Sequence, residues 1–399
     1  MAHPIRERLA LVDALRAFAL IGILQVNVQS FLWGVGDPLG YFHAQPSGAD
    51  VWTFFWLDVL AVNKFMPLFA LLFGFGMALQ WRSVKRSATE LPEQVLRRRY
   101  RFLLLLGVAH GVVLYFGDIL TLYALCALWV MRWCARRPVR LLRAVWVWLA
   151  IYIGITLLLA YLSGVLYRAL TGEVDAQQVP QEAFEVFAIY ALAPFGEQLI
   201  ARVQDYFQVL TASVLLASPL VIALFALGAL AARQGWVHHP QRHAGLWRGA
   251  VWLGLGGLIL SIVGAAMNTQ AMRDFPGNPN PTGGLLLALS FPATLLSIAL
   301  VVRWRERPTM RRLIEALAPV GRMPLTNYVM QSLLMGALLS GWGLGLGAGL
   351  GHAALALWAL AIVLVQFWVS RAWMARFAQG PLEALWRWVT YRGRWARRS

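Results

Sequence analysis

Apolar runs of about 20 residues, the length a helix needs to cross the hydrocarbon core of a bilayer, recur along the chain. They lie at 10–32, 53–80, 100–116, 118–134, 142–166, 207–231, 249–267, 283–302, 317–341 and 351–371. The third and fourth read as a hairpin, because Gly117-Asp118 interrupts what would otherwise be one long run. A chain crossing lipid must satisfy its backbone internally, so the pattern predicts an all-α, polytopic membrane helix bundle of about ten transmembrane helices. One transmembrane helical domain is expected over 1–399, with a larger extracytoplasmic loop at 167–206. Inside that loop a surface helix is expected from residue 181. Its apolar face would be Phe184, Phe187, Ala188 and Ala191, spaced three and four apart, and Pro194 ends or kinks it.

The segments between runs alternate in charge. Arg6 and Arg8 precede the first run, and 33–52 has neither Lys nor Arg. Arg82, Lys85, Arg86, Arg97, Arg98, Arg99 and Arg101 follow the second run, and Arg132, Arg136, Arg137, Arg140 and Arg143 follow the fourth. The 167–206 segment is acidic on balance, whereas 232–248, 303–312 and the C-terminal tail are basic. Positive charge retains loops in the cytoplasm, so the alternation predicts both termini there.

Composition agrees with a membrane location. The chain is 59% hydrophobic and 13% charged, against roughly a quarter charged in soluble domains. The net charge of +17 would suggest nucleic acid in a soluble protein. Its confinement to alternate loops assigns it to orientation and to contact with anionic lipid instead. The first run lacks a small-residue cleavage site and reads as a signal anchor. Cys126 and Cys134 share one run, which argues against a disulfide framework. His238, His239 and His243 lie in a basic loop without carboxylates, so no metal is expected.

Ionisable residues inside spans are costly and point to sites by default. Asp13 and Arg16, three residues apart on one helical face, lie near the inner end of the first span. Asn27 lies toward its outer end, and Lys64 sits within the second span, before Pro67. His110 lies in the third span, Asp118 in the turn that follows, and Arg322, Asn327 and Gln331 in the ninth. The imidazole suits proton transfer because its unperturbed pKa is near neutrality. Asp118 is eight residues on, roughly 80° around an ideal helix, so the two would meet only if the turn folds Asp118 back. Two layers result. An inner one with Arg16 and Arg322 suits phosphate or carboxylate. A middle-to-outer one holds Asn27, Lys64, His110 and Asp118.

The stretches LVDALRAFALIGILQVN, KFMPLFALLFGFG, RRRYRFLLLLGVAHGVVLYFGDILTLYAL, GRMPLTNYVMQS and QGPLEALWRW together resemble the YeiB-like bacterial inner-membrane family, a domain of unknown function. That family is grouped with transmembrane acyltransferases such as acyltransferase-3 and heparan-alpha-glucosaminide N-acetyltransferase. The resemblance implies transfer of an acyl group, acetyl in the first instance, from cytoplasmic acetyl-CoA to a small-molecule or glycan acceptor beyond or within the membrane. Asp13 and Arg16 match the opening Asp-x-x-Arg motif. His110, Asp118, Asn27, Lys64 and the loop residue His43 are the catalytic candidates, and Asp13, Arg16, Arg322, Asn327 and Gln331 the candidates for binding acyl-CoA. His110 is favoured over His43 as the catalytic histidine. Nucleic acid is not an expected partner, and a homodimer is left open.

Two other readings compete. A transporter or flippase for an anionic small molecule also uses broken helices and charged midplane residues. A non-catalytic scaffold would use the same polar groups as packing glue. No P-loop, G-x-S-x-G or H-E-x-x-H motif is present.

Overall fold

The computed structural model describes residues 3–34, 47–88, 90–170, 178–274 and 280–392. The described residues are helical and contain no strand, as the spacing of apolar runs predicts. In chain order the helices are α1 (His3–Ser30), α2 (Gly48–Leu60), α3 (Phe65–Ser87), α4 (Pro92–Val113), α5 (Leu120–Val130), α6 (Pro138–Leu170), α7 (Gln178–Leu192) and α8 (Phe195–Ala212). They continue as α9 (Ser218–Gln234), α10 (Ala244–Asp274), α11 (Pro281–Leu289), α12 (Ala293–Trp304), α13 (Pro308–Gly321), α14 (Pro324–Leu339), α15 (His352–Arg376) and α16 (Pro381–Tyr391). Proline stands in the first turn of α4, α9, α11, α13, α14 and α16. It costs nothing there, because the first-turn amide has no intrahelical acceptor.

Among the described residues, seven segments are long and apolar enough to span a bilayer: Ala10–Ser30, Gly48–Ser87, Pro138–Val165, Phe195–Gln234, Pro240–Ala271, Pro281–Trp304 and His352–Arg376. The windows at 100–116, 118–134 and 317–341 are helical too, but their helices are shorter or more polar. The chain is therefore a multi-pass membrane protein. In the loop window, α7 stops at Leu192, two residues before Pro194, and buries Phe187 and Ala191.

Three windows expected as single helices are broken. In 53–80 the helix stops at Leu60, and Asn63 takes a positive φ of 58°. Side chains tie the break to α11 and α12: Asn63 Nδ2 donates to the Leu287 carbonyl at 3.2 Å, and Thr294 Oγ1 to the Lys64 carbonyl at 2.7 Å. The 283–302 window breaks between α11 and α12, where Pro292 follows a turn. The 317–341 window breaks at Arg322-Met323, since Pro324 has no N–H with which to continue α13.

The packing has a buried centre and a lipid-facing rim. The apolar window of α6 is 11% buried and that of the α8–α9 segment 67%, so α6 faces lipid while α9 lies in the core. Exposed Trp146, Leu158 and Tyr161 on α6, Trp252 and Ile259 on α10, and Leu357, Leu364 and Trp368 on α15 form the rim. Lipid is as apolar as leucine, so close packing is what holds such helices together. The α3–α9 crossing uses glycine for it: a methyl added at Gly74 would meet the Phe225 carbonyl, and one at Gly228 the Leu71 carbonyl.

One end of the bundle is basic. There Arg82 donates to the carbonyls of Ala232 and Arg233 at 3.2 Å each, at the C-terminal end of α9. Arg233 donates to Cys134 at 3.1 Å and to the Arg136 carbonyl. Part of the arginine excess thus closes helix C-termini, whose last carbonyls lack intrahelical donors. The short α16 docks on α4 at this face through Trp386 Nε1, which donates to the Arg99 carbonyl at 2.7 Å, and Arg98 Nε, which donates to the Thr390 carbonyl at 3.0 Å.

Gly228→Ala should push α3 and α9 apart and lower stability by about 1–3 kcal/mol, the usual cost of overpacking. Thermal unfolding in detergent, with Gly256→Ala as a control in open space, measures this. An unchanged melting temperature for Gly228→Ala would refute the close crossing.

Candidate functional site

Helix α4 ends at Val113 and the chain turns over 114–119. The amides of Leu114 and Tyr115 both donate to the His110 carbonyl, at 2.8 and 3.0 Å, which closes α4. Arg202 of α8 reinforces that end: its guanidinium donates to the Val113 carbonyl at 2.5 Å and to Gln198 Oε1 at 3.1 Å. The turn is longer than Gly117-Asp118 alone and folds Asp118 back over the last turn of α4. A continuous helix would hold the two side chains apart, but in the structure His110 Nδ1 lies 2.9 Å from Asp118 Oδ1. The other carboxylate oxygen, Oδ2, accepts the Thr121 amide at 2.7 Å, serving a first-turn donor of α5.

Close approach of α5 to α4 depends on Gly107. A Cβ there would lie 2.6 Å from the Thr121 nitrogen. Thr121 Oγ1 meets Tyr206 of α8 at 3.0 Å, and the Tyr206 ring covers Gly111.

On its other side the imidazole meets Ser332 of α14, with Nε2 and Oγ 2.9 Å apart. An Asp118 carboxylate can only accept, so a neutral His110 ring donates to it from Nδ1 and accepts the serine hydroxyl at Nε2. The exposures of Ser332, His110 and Asp118 are 2%, 2% and 5%, so water does not compete for these bonds. The order is serine, histidine, aspartate, each bonded to the next. Such an arrangement can take a proton from a hydroxyl and return it elsewhere. Sequence reading identified His110 and Asp118 but missed Ser332. A helical serine carries no charge and usually bonds its own helix, so no sequence signal marks it.

A cavity of about 570 Å³ opens at the basic end; Ser332, His110 and Asp118 do not line it, but their neighbours Leu120 and Tyr328 do. Arg16, Arg99, Arg322 and Arg387 line it, with Glu383, Trp386 and Tyr391. Its deep wall includes Leu120, Tyr123 and Tyr328. Leu120 is two residues past Asp118. Tyr328 is one turn before Ser332 on α14, and its ring lies 4.9 Å from the His110 ring.

Local bonds hold the mouth. Arg16 donates to Asp13 Oδ1 at 2.9 Å, and the α1 backbone at Asp13 runs against Gly321 of α13. Arg322 donates to the Ala378 carbonyl at 3.1 Å. Glu383 of α16 accepts the amides of Leu325 and Thr326, at 2.7 and 3.1 Å, and the Thr326 hydroxyl at 2.6 Å. A carboxylate thus complements the positive N-terminus of α14. Asp13 and Glu383 offset part of the arginine charge and leave the mouth basic.

Other expected site residues go elsewhere. Lys64 is buried and donates to the Asp58 carbonyl at 2.5 Å, while the Asp58 side chain accepts from Asn268 at 3.3 Å. Lys64 therefore serves the α2–α3 break rather than the histidine. Asn327 and Gln331 do not line the cavity. Asn327 Nδ2 donates to the Val320 carbonyl and to Ser370 Oγ, both at 3.0 Å, and Gln331 Nε2 donates to Gln366 Oε1 at 3.0 Å. Gln366 returns a bond to the Asn327 carbonyl at 2.8 Å. This ladder joins α14 to α15, as polar side chains do between membrane helices. Asn27 is half-buried one turn before Ser30, whose hydroxyl meets Tyr115 of the 114–119 turn at 2.7 Å. His43 lies outside the described residues.

Comparison with known proteins identifies relatives over nearly the whole chain. Residues 231–393 match a family model described as a protein of unknown function (DUF418). The chain is 30% identical to the uncharacterized protein YeiB of Escherichia coli (strain K12), over 97% of each chain. It is 28% identical to the uncharacterized protein YxaH of Bacillus subtilis (strain 168), over 96% of this chain and 94% of that one.

Asp118→Ala would leave the buried Thr121 amide and His110 Nδ1–H without acceptors and should cost roughly 2–4 kcal/mol. Ser332→Ala should cost only about 0.5–1 kcal/mol, since it removes one neutral bond between membrane helices. Parallel thermal unfolding of the two variants in detergent checks the ordering. Equal stabilities would mean that Asp118 does not carry both bonds.

Proposed function

The chain belongs to the YeiB-like DUF418 family of multi-pass membrane proteins, and from its buried histidine and arginine-lined cavity we propose that it is an acyltransferase of the bacterial inner membrane. It takes an acyl group, acetyl in the first instance, from cytoplasmic acyl-CoA and passes it to a hydroxyl or amine of a sugar-like acceptor at the opposite side of the membrane. One observation carries this reading: the cavity is basic at its mouth and aromatic at its deep wall, where Tyr328 lies against His110. An acyl-CoA has the same order of groups, with phosphates at one end and a thioester at the other. The bias of basic loops toward the cytoplasm supports a cytoplasmic mouth, on the side where acyl-CoA is found.

Each residue then has a physical task. Arg16 and Arg322 hold phosphate oxygens, for which the planar guanidinium fork is suited. His110 acts as general base on the attacking group, and Asp118 fixes its tautomer and stabilises the imidazolium that forms. Burial strengthens these interactions, because no bulk water screens them.

A transporter draws on the same broken helices. Against it, carbonyls at the α2–α3 break are bonded by Thr294 and Lys64, so they are not free to hold an ion. Substrate counterflow in proteoliposomes without CoA would restore that reading.

Calorimetry of detergent-purified protein with acetyl-CoA tests the proposal. Saturable binding is expected, weakened about 10- to 100-fold in Arg16→Ala or Arg322→Ala through loss of a charge-assisted contact, and retained in His110→Ala. No saturable binding by the wild-type protein would refute it.

A further inference from the structure

We infer that Ser332 is the nucleophile of this protein and carries the acyl group covalently between donor and acceptor. The inference rests on the acyltransferase reading for the identity of the donor, while the nucleophile itself rests on geometry alone.

Hydroxyls in membrane helices ordinarily bond back to the carbonyl four residues earlier. Thr156, Thr211 and Ser218 do so here, at 2.8, 2.8 and 2.6 Å. Ser332 departs from that habit. Its hydroxyl points across the α4–α14 interface to His110 Nε2. The ring behind it is oriented by Asp118, and Asp118 by the Thr121 amide. A serine needs such a base because the free hydroxyl is a weak nucleophile. A helical hydroxyl that served only packing would not require an imidazole fixed by a carboxylate on its far side.

Position supports the role. Tyr328 lies one turn before Ser332 and forms part of the cavity wall, so its ring stands between the cavity and the triad. The acyl group reaches Ser332 when that ring swings aside. The Tyr328 hydroxyl accepts the Ile119 amide at 3.3 Å, a bond that holds the ring across the way to Ser332.

The steps balance. Ser332 Oγ attacks the thioester carbonyl carbon, and its proton moves to His110 Nε2. The carbon–sulfur bond breaks, and the departing sulfur takes that proton to leave as the CoA thiol. Ser332 now holds an ester. The acceptor hydroxyl or amine attacks the ester carbon and gives its proton to His110 Nε2. The carbon–Oγ bond breaks, and Oγ regains the proton. Nothing is oxidised or reduced.

Two readouts on the full detergent-solubilised chain test this. A serine-directed fluorophosphonate needs no donor. Peptide mass spectrometry should find it on Ser332, with labelling at least about 100-fold slower in His110→Gln, the scale of a lost general base. Tyr328→Ala should label faster than wild type. Separately, protein treated with acetyl-CoA should gain one acetyl mass, lost in Ser332→Ala and retained as a thioester in Ser332→Cys. Size-exclusion profiles confirm that each variant is folded. No fluorophosphonate on Ser332, or equal labelling in His110→Gln, overturns the inference. Turnover of acetyl-CoA by Ser332→Ala at the wild-type rate overturns it too, while leaving the acyl-CoA reading standing. His110-dependent labelling without any acetyl-CoA binding keeps the nucleophile and rejects acetyl-CoA as the donor.

Discussion

The buried bond between His110 and Asp118 is the interaction on which the rest of the site depends. It exists only because α4 stops at Val113 and the 114–119 turn carries Asp118 back over the preceding helical turn. That turn is held from several directions. Arg202 ties down the end of α4, Gly107 lets α5 approach, and Tyr206 bridges to α8. In a membrane interior an unpaired imidazole or carboxylate would be expensive. Pairing them, with Thr121 and Ser332 taking the remaining positions, lets both groups remain where lipid would otherwise exclude them.

The surrounding architecture separates charge from chemistry. Guanidinium groups gather at the basic end, where Asp13, Glu383 and helix-end carbonyls moderate them. Aromatic and aliphatic side chains line the passage inward, and the Ser332–His110–Asp118 chain lies behind Tyr328. Breaks in three helices make this possible. The one at Arg322-Met323 brings an arginine and the N-terminus of α14 to the mouth, while Ser332 on the same helix sits two turns deeper.

Much of this was legible in the sequence, and the exceptions have physical causes. Apolar run lengths revealed the helices because lipid leaves the backbone no alternative. His110, Asp118, Arg16 and Arg322 stood out because an ionisable group is rare at such depth. Periodicity alone could not show His110 and Asp118 in contact, since ideal helix geometry keeps them apart and only the ending of α4 joins them. Ser332 was invisible for the reason that makes serine common in membrane helices: its hydroxyl is cheap to satisfy locally. Asn327 and Gln331 present the opposite case. Their amides looked like ligand groups, but α15 offers Gln366 and Ser370 as partners. Lys64 likewise found an acceptor six residues back in its own chain.

The most direct test of the account is a cryo-EM structure with a non-hydrolysable acyl-CoA analogue. The account predicts density for the phosphates against Arg16 and Arg322, with the acyl end past Tyr328 and beside Ser332 Oγ and His110 Nε2. An analogue bound elsewhere, or one whose acyl end points away from His110 with the Tyr328 ring unmoved, would contradict it.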